Sequence, residues 1–201
     1  IVFNGEIYNY RRLRMELGSR DLRGHSDTEV LLACIDEWGL DATVERCIGM
    51  FAFALWDRGE RRLSLVRDRL GVKPLYYRAS HTGISFASEL KALGRADIDR
   101  GALALYMRYG YVPAPWSMFE GVNKLPPATI LTIDPEGTMR MRSYWDAPRV
   151  AERAAAREAK DWGRADQIRT ELEGMRIVVM DRANGSEWKV RLASSEDGKR
   201  D

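Results

Sequence analysis

The chain is predicted to be an α+β protein: a layered domain of antiparallel hairpins and helices, followed by a small helix pair with a hairpin of its own. Three stretches predict this. In GMFAFALWD, Met50, Ala52, Ala54 and Trp56 alternate with Phe51, Phe53 and Leu55. Small residues on one side and bulky ones on the other mark a strand covered on both faces. In HSDTEVLLACIDEWG, Ser26 and Glu29 have the spacing of a capping box, ahead of an apolar stripe of Val30, Leu31, Cys34, Ile35 and Trp38. After Pro148 the composition turns to Ala, Arg and Glu, all strong helix formers, with no further proline.

Taken in order, Phe3-Asn4-Gly5-Glu6 reads as a strand running out into a polar turn. Ile7 to Leu17 reads as a helix, because Tyr10, Leu13 and Leu17 recur at helical spacing. The polar link GSRDLRGHSD leads into the second helix, which should stop near Gly39. The doubly covered strand turns at Asp57 to Arg61 and returns as Arg62 to Arg67. Short strands fit Leu75 to Arg78 and Gly83 to Ala87, followed by a helix from about Asp99 to Arg108. The proline-rich GYVPAPWSMFEGVNKLPP should run as ordered surface loop into a strand at Ala128 to Ile133. Beyond Val150, Gly163 predicts two helices joined at Asp161 to Gly163, with Ala165, Ile168 and Leu172 on the inner face of the second. IVVMDRANGSEWKVRL reads as two strands around an Asn184-Gly185 turn, and SSEDGKRD as a frayed end. The expected division is residues 1–148 and 149–201.

Composition narrows the function classes. With 45% apolar and 31% charged residues over 201 positions, the chain can bury one real core and a small satellite. No apolar run approaches the roughly 18 residues of a spanning helix and no secretory signal is present, so no membrane partner is expected and the cytoplasm is the default location. Cys34 and Cys47 form neither a disulfide framework nor a CxxC pair. With His25 and His81 alone beside them, no metal site is expected. A net charge of +2 does not by itself imply nucleic acid.

Several groups of residues carry two readings each. Asn4-Gly5-Glu6 is either a turn with Glu6 opening a helix, or an amide and a backbone N–H converging on a developing oxyanion. Asp27 is either a carboxylate favoured by the exposed amides of a helix N-terminus or the fixed partner of a ligand ammonium. Cys34 and Cys47 read as small core residues. Arg67-Asp68-Arg69 with Lys73, beside Gly71 and Pro74, reads as a salt-bridged turn or a ligand contact.

In order along residues 1 to 146, the blocks VFNGEIYNY, HSDTEVLL, GMFAFALWD, VRDRLGVKPLYY, FASELKAL, GYVPAP and KLPPATILTID resemble the class II glutamine amidotransferase domain of glutamine-hydrolysing asparagine synthetase. The resemblance implies an N-terminal nucleophile hydrolase fold, a four-layer αββα sandwich. It also implies hydrolysis of L-glutamine to glutamate and ammonia by a first-residue Cys, with the ammonia passing to a second domain that activates aspartate with ATP. Asn4 and Gly5 then resemble the oxyanion hole, Glu6 part of the glutamine cradle, and Asp27 the carboxylate that holds the substrate ammonium. An oxyanion donor of this kind is worth about 3 kcal/mol. The family's opening Cys-Gly-Ile and its carboxylate-binding Arg are absent here, so the sandwich is expected to be incomplete and this chain alone inactive. Ala128 stands where the family commonly has Gly. No cofactor is expected in this chain: ATP and Mg belong to the family's synthetase domain, which, like a homodimer mate, is an expected partner.

The stretch AREAKDWGRADQIRTELEGMRIVVMDRANGSEWKV resembles the C-terminal, anticodon-side appendage of cysteinyl-tRNA synthetase. The resemblance implies tRNA as a partner and makes Asp166, Arg169 and Trp188 the positions to test. The plain alternative is a solvated helix face for Asp166 and Arg169, with Trp188 packing the hairpin. From Val150 onward 11 basic and 11 acidic residues balance, which argues against strong independent RNA affinity.

Overall fold

The computed structural model describes residues 1–18, 20, 22–80, 83–145, 148–174, 177–182 and 185–190, in two compact units, Ile1–Trp145 and Asp146–Asp201. In the first unit a five-stranded antiparallel sheet has the order β1 (Val2–Ile7), β2 (Gly49–Asp57), β3 (Arg62–Arg67), β7 (Thr129–Ile133), β8 (Met139–Ser143). A second sheet of three strands has the order β5 (Gly83–Ala87), β4 (Tyr76–Ser80), β6 (Asn123–Lys124). The alternation in β2 sorts its residues as expected. Phe51 and Phe53 join Ile7, Leu13, Val30, Leu31, Cys34 and Val66 beneath helices α1 (Tyr10–Glu16) and α2 (Asp27–Arg46). Ala52 and Ala54 pack with Tyr77 of the second sheet and with Leu75 and Leu125 beside its strands, where small side chains let the sheets approach. Helices, sheet and sheet therefore stack in the order of the expected αββα sandwich. The described residues also set a 3-10 turn, Leu90–Leu93, against β4 and β5.

Most predicted elements stand. Ser26 caps α2 by accepting a 3.2 Å bond from the Glu29 N–H. Glu29 reaches past it to the amides of Arg23 and Gly24, at 2.7 and 2.8 Å. The helix breaks at Gly39, at φ 79°, and resumes to Arg46. Helix α3 (Arg100–Tyr109) is capped by Asp99 and closed by left-handed Gly110. β6 and β8 are additions to the sequence reading: the first is too short and the second too polar (MRMRS) to stand out from loop.

The N-terminal boundary differs from the expectation. The strand does not turn at Asn4-Gly5-Glu6 but continues to Ile7, and helix α1 begins at Tyr10. Pairing with β2 overrides the local turn preference of Asn-Gly. Asn9 then closes the junction, accepting from the Ile48 N–H at 2.8 Å and donating to the Arg46 carbonyl at 2.9 Å.

The predicted salt-bridged turn at Arg67–Lys73 is also corrected, since the charges of Arg67 and Asp68 are satisfied by main-chain groups. The buried Asp68 carboxylate accepts from the amides of Phe51, Leu70, Val72 and Lys73 at 2.9–3.3 Å. Arg67 donates to the carbonyls of Gly71, Lys73 and Leu125 at 2.6–2.7 Å, and burial lowers its pKa. The Asp68 carbonyl receives the Ala128 N–H at 2.8 Å. Ala128 itself sits at φ 53°, a left-handed conformation that explains why glycine suits this place.

In the second unit α4 (Pro148–Glu158) and α5 (Trp162–Gly174) form the predicted pair, with Ala165, Ile168 and Leu172 buried. The joint falls at Ala159–Asp161, earlier than predicted, because Lys160 adopts φ 60° and Asp161 caps α5 through the Arg164 N–H at 3.1 Å. Gly163 is thus inside the first turn. Strands β9 (Ile177–Arg182) and β10 (Gly185–Val190) pair antiparallel with Arg182 opposite Gly185, so Gly185 opens a strand. Asn184, Met175-Arg176, His81 and the SSEDGKRD end lie outside the described residues.

Replacing Asp68 by Asn tests the knot directly. An amide NH2 in place of either carboxylate oxygen confronts backbone N–H donors. Urea unfolding of D68N is expected to show a loss of about 2–4 kcal/mol, the range for hydrogen bonds to a charged group plus buried donors left unpaired.

Candidate functional site

β1 is an edge strand of the larger sheet, and its backbone directions follow from its pairing. Phe51, opposite Gly5, turns its N–H and carbonyl to Asp68, which leaves the Gly5–Phe51 pair without mutual hydrogen bonds. The Gly5 N–H therefore points away from β2, to the open edge. Ile7, two residues on and on the same side, donates its N–H at 2.9 Å to Asp27 Oδ2. Gly5 lies at φ 147°, and a Cβ there would stand 2.1 Å from the Met50 carbonyl oxygen, so the edge at this point demands glycine.

The neighbouring side chain, Asn4, turns toward the second sheet. Its Nδ2 donates to Ser88 Oγ at 2.9 Å. Both residues line a small pocket of about 90 Å³ between the sheets, whose other walls include Val2, Ala54, Leu75 and Phe86. Asn4 is half-buried and Glu6 is exposed. Asn4 and Gly5 thus present two N–H donor groups from adjacent residues at one edge.

Asp27 sits in the first turn of α2, where Oδ1 accepts from the Thr28 N–H at 2.7 Å and from its hydroxyl at 3.3 Å. With Oδ2 on Ile7, the carboxylate anchors the helix N-terminus to β1. Oδ2 takes a single bond, which leaves it a second acceptor site. The structure thus brings Asn4, Gly5, Glu6 and Asp27 to one strand edge.

Other candidates fall elsewhere. Cys34 and Cys47 are buried in the helix-side core, on the opposite face of β2 from Asn4, and neither can serve as a nucleophile at that edge. Asp166 and Arg169 are exposed on α5, where Arg169 pairs with Glu173 at 3.2 Å. Trp188 lies on β10 opposite Val179 in the register, and its side chain is outside the described residues. No group of three or more His, Cys, Asp or Glu side chains among the described residues could hold a metal, and no helix among them is long and apolar enough to cross a membrane. Ser88 and the pocket are what the sequence reading missed. The serine adjoins a strand in FASELKAL, and nothing local marks it as the partner of a residue 84 positions away.

Residues 1–145 match the glutamine amidotransferase domain family. The chain belongs to that family. Residues 150–188 match the cysteinyl-tRNA ligase anticodon binding domain. Asparagine synthetase [glutamine-hydrolyzing] 1 of Bacillus subtilis is 40% identical over 153 residues, covering 73% of this chain and 24% of its own length. A putative asparagine synthetase of Mycobacterium bovis is 35% identical over 184 residues, covering 86% and 28%. The chain therefore spans about a quarter of the length of these curated relatives. The glutamine phosphoribosylpyrophosphate amidotransferase of B. subtilis, solved with ADP and GMP, superposes with a TM-score of 0.50 at 21% identity, over 71% of this chain and 28% of that one. That likeness is one of fold, and it agrees with the N-terminal nucleophile type of sandwich.

In this amidotransferase domain the thiols behave as core atoms. Burial pushes Cys34 up to about 11 and Cys47 up to about 12. Neither is expected to react with a thiol reagent at pH 8 until the protein is unfolded, when both should. Unfolding lets each thiol ionise near its ordinary value of 9.0, below its folded value. Their contribution is therefore level below pH 9 and lost as pH rises from there to about 12. Urea unfolding between pH 7 and 10.5 should show this decline, made shallower by replacing both cysteines with alanine.

Proposed function

We propose that residues 1–145 form the glutamine-binding part of an amidotransferase of the asparagine synthetase type, whose reaction releases ammonia from L-glutamine for asparagine synthesis. The observation that carries this reading is the open edge of β1. There the Gly5 N–H and the Asn4 amide are held side by side as donors for a carbonyl oxygen that becomes an oxyanion. Asp27 receives the substrate ammonium at its remaining Oδ2 acceptor site, and the exposed Glu6 closes the cradle. The sequence identity to asparagine synthetases over these blocks supports the assignment.

Donors and a cradle stabilise an attack but do not supply the attacking atom. With both cysteines in the far core, residues 1–201 by themselves bind glutamine without cleaving it. ATP and Mg, which would drive activation of aspartate, are assigned to the synthetase portion that makes up most of the relatives' length, and so is the destination of the ammonia. In incubations of the purified chain with L-glutamine, glutamate release is expected to stay at the blank level, while the Gly5 and Asn4 resonances shift on titration. Release abolished by a thiol reagent would overturn the inactive reading, and a spectrum unmoved by glutamine would overturn the binding one.

A second reading belongs to the other unit, supported by the match of residues 150–188 to an anticodon binding domain. Here α5 presents Asp166 and Arg169 outward, and the hairpin carrying Trp188 completes the surface for a tRNA anticodon. The test is a titration of the full chain against tRNA. Replacing Asp166 and Arg169 by alanine together should weaken binding about tenfold, the scale of lost base contacts. Equal affinities would remove tRNA as a partner.

A further inference from the structure

Ser88 stands one residue beyond β5, on the second sheet, and its Oγ accepts the 2.9 Å bond from Asn4 Nδ2 on the first. A side-chain amide is an unreliable oxyanion donor until its last torsion is fixed. That sp³–sp² rotation is broad and roughly two-fold, so the carbonyl and NH2 ends can exchange places. The wrong end would present a partial negative charge to a developing negative charge. A hydroxyl accepting from Nδ2 engages one of its two hydrogens and leaves the other available to a ligand.

The setting favours a directing role over a merely adhesive one. Asn4 and Ser88 line the same pocket, whose other walls include Val2, Ala54, Leu75 and Phe86. A hydroxyl could accept from the NH2 end or donate to the carbonyl end; here it accepts from Nδ2 at 2.9 Å, and that bond fixes the last torsion of the amide with its NH2 end on the serine. Ser88 directly follows β5 of the second sheet, so the amide is held from across the gap between the sheets.

We propose that Ser88 is the positioning residue of the Asn4–Gly5 donor pair, holding the Asn4 amide with its NH2 end on the serine and its second N–H free for the glutamine carbonyl oxygen. The proposal rests on the reading of Asn4 and Gly5 as an oxyanion hole. It adds the residue that makes one of those donors usable.

The test uses the full chain with 15N-labelled asparagine, the Asn4 side-chain signals being assigned by their loss in N4D. In the wild type one Nδ2 proton should be shifted and exchange slowly. In S88A that signature should collapse, with exchange faster by about fivefold or more on loss of one half-buried hydrogen bond. Ser88→Thr keeps the hydroxyl, has the pocket to receive its methyl group, and should restore the signature. Followed at the Gly5 amide in uniformly 15N-labelled protein, L-glutamine affinity should fall about tenfold in S88A and recover in S88T, the scale of one fixing hydrogen bond. An Asn4 signature unchanged in S88A, or equal glutamine affinity in S88A and wild type, would overturn the proposal. If the wild type does not respond to glutamine at all, the glutamine reading fails, and the amide exchange alone decides whether Ser88 orients Asn4.

Discussion

The first unit depends on a pair of adjacent charges that stabilise backbone rather than each other. Arg67 and Asp68 end β3 at the place where the chain must leave the larger sheet, build a loop and enter the smaller one. The Asp68 carboxylate gathers the amides of that loop together with Phe51 of β2. The Arg67 guanidinium gathers carbonyls from the same loop and from Leu125, just ahead of β7. The Tyr144 hydroxyl, beyond β8, donates to the Arg67 carbonyl at 2.9 Å. Buried loop amides and carbonyls need partners, and here two side chains provide them for a whole crossing between layers. Both sheets are therefore registered from one point, and so is the gap between them into which Asn4 and Ser88 project.

The legible parts of this fold are those where one local pattern and the tertiary structure ask for the same thing. The Ala/Phe alternation of β2 has a single solution, since one face must meet helices and the other a sheet. Ser26 and Gly39 mark a start and a break that any surroundings would respect. Legibility fails where a distant partner overrules a local preference. Asn4-Gly5 is good turn sequence, yet β2 supplies a ladder as far as Ile7 and draws it into a strand. Arg67, Asp68 and Lys73 look like mutual ion partners in one dimension, but the carbonyls and amides that claim two of them come from the loop's own curvature. In α4 and α5 the break was visible through Gly163 and misplaced, because Asp161 is a stronger start signal than glycine is a stop.

The site shows the same division. Asn4, Gly5, Glu6 and Asp27 could be named because short motifs carry them, and the structure gathers them at one strand edge. What could not be read was how they are held. The direction of the Gly5 N–H follows from the bond between Phe51, on the neighbouring strand, and Asp68, just past the strand after that. The contact between Asn4 and Ser88 joins two sheets whose stacking no local pattern encodes. Trp188, Asp166 and Arg169 were named from resemblance alone, and the exposed face of α5 is compatible with either reading of it.

An exposed strand edge is also a hazard, because unpaired main-chain groups invite strands from other molecules. On β1 the outward backbone groups belong to Phe3, Gly5 and Ile7, beside Ile1 and Val2, which are 40% and 66% exposed. Asp27 closes one end of that row by taking the Ile7 amide and setting a carboxylate across the path of any incoming strand. Gly5, at φ 147°, bends the remainder away from regular extension. The aspartate proposed to receive a substrate ammonium thus also covers part of the strand edge, a contact that needs no ligand.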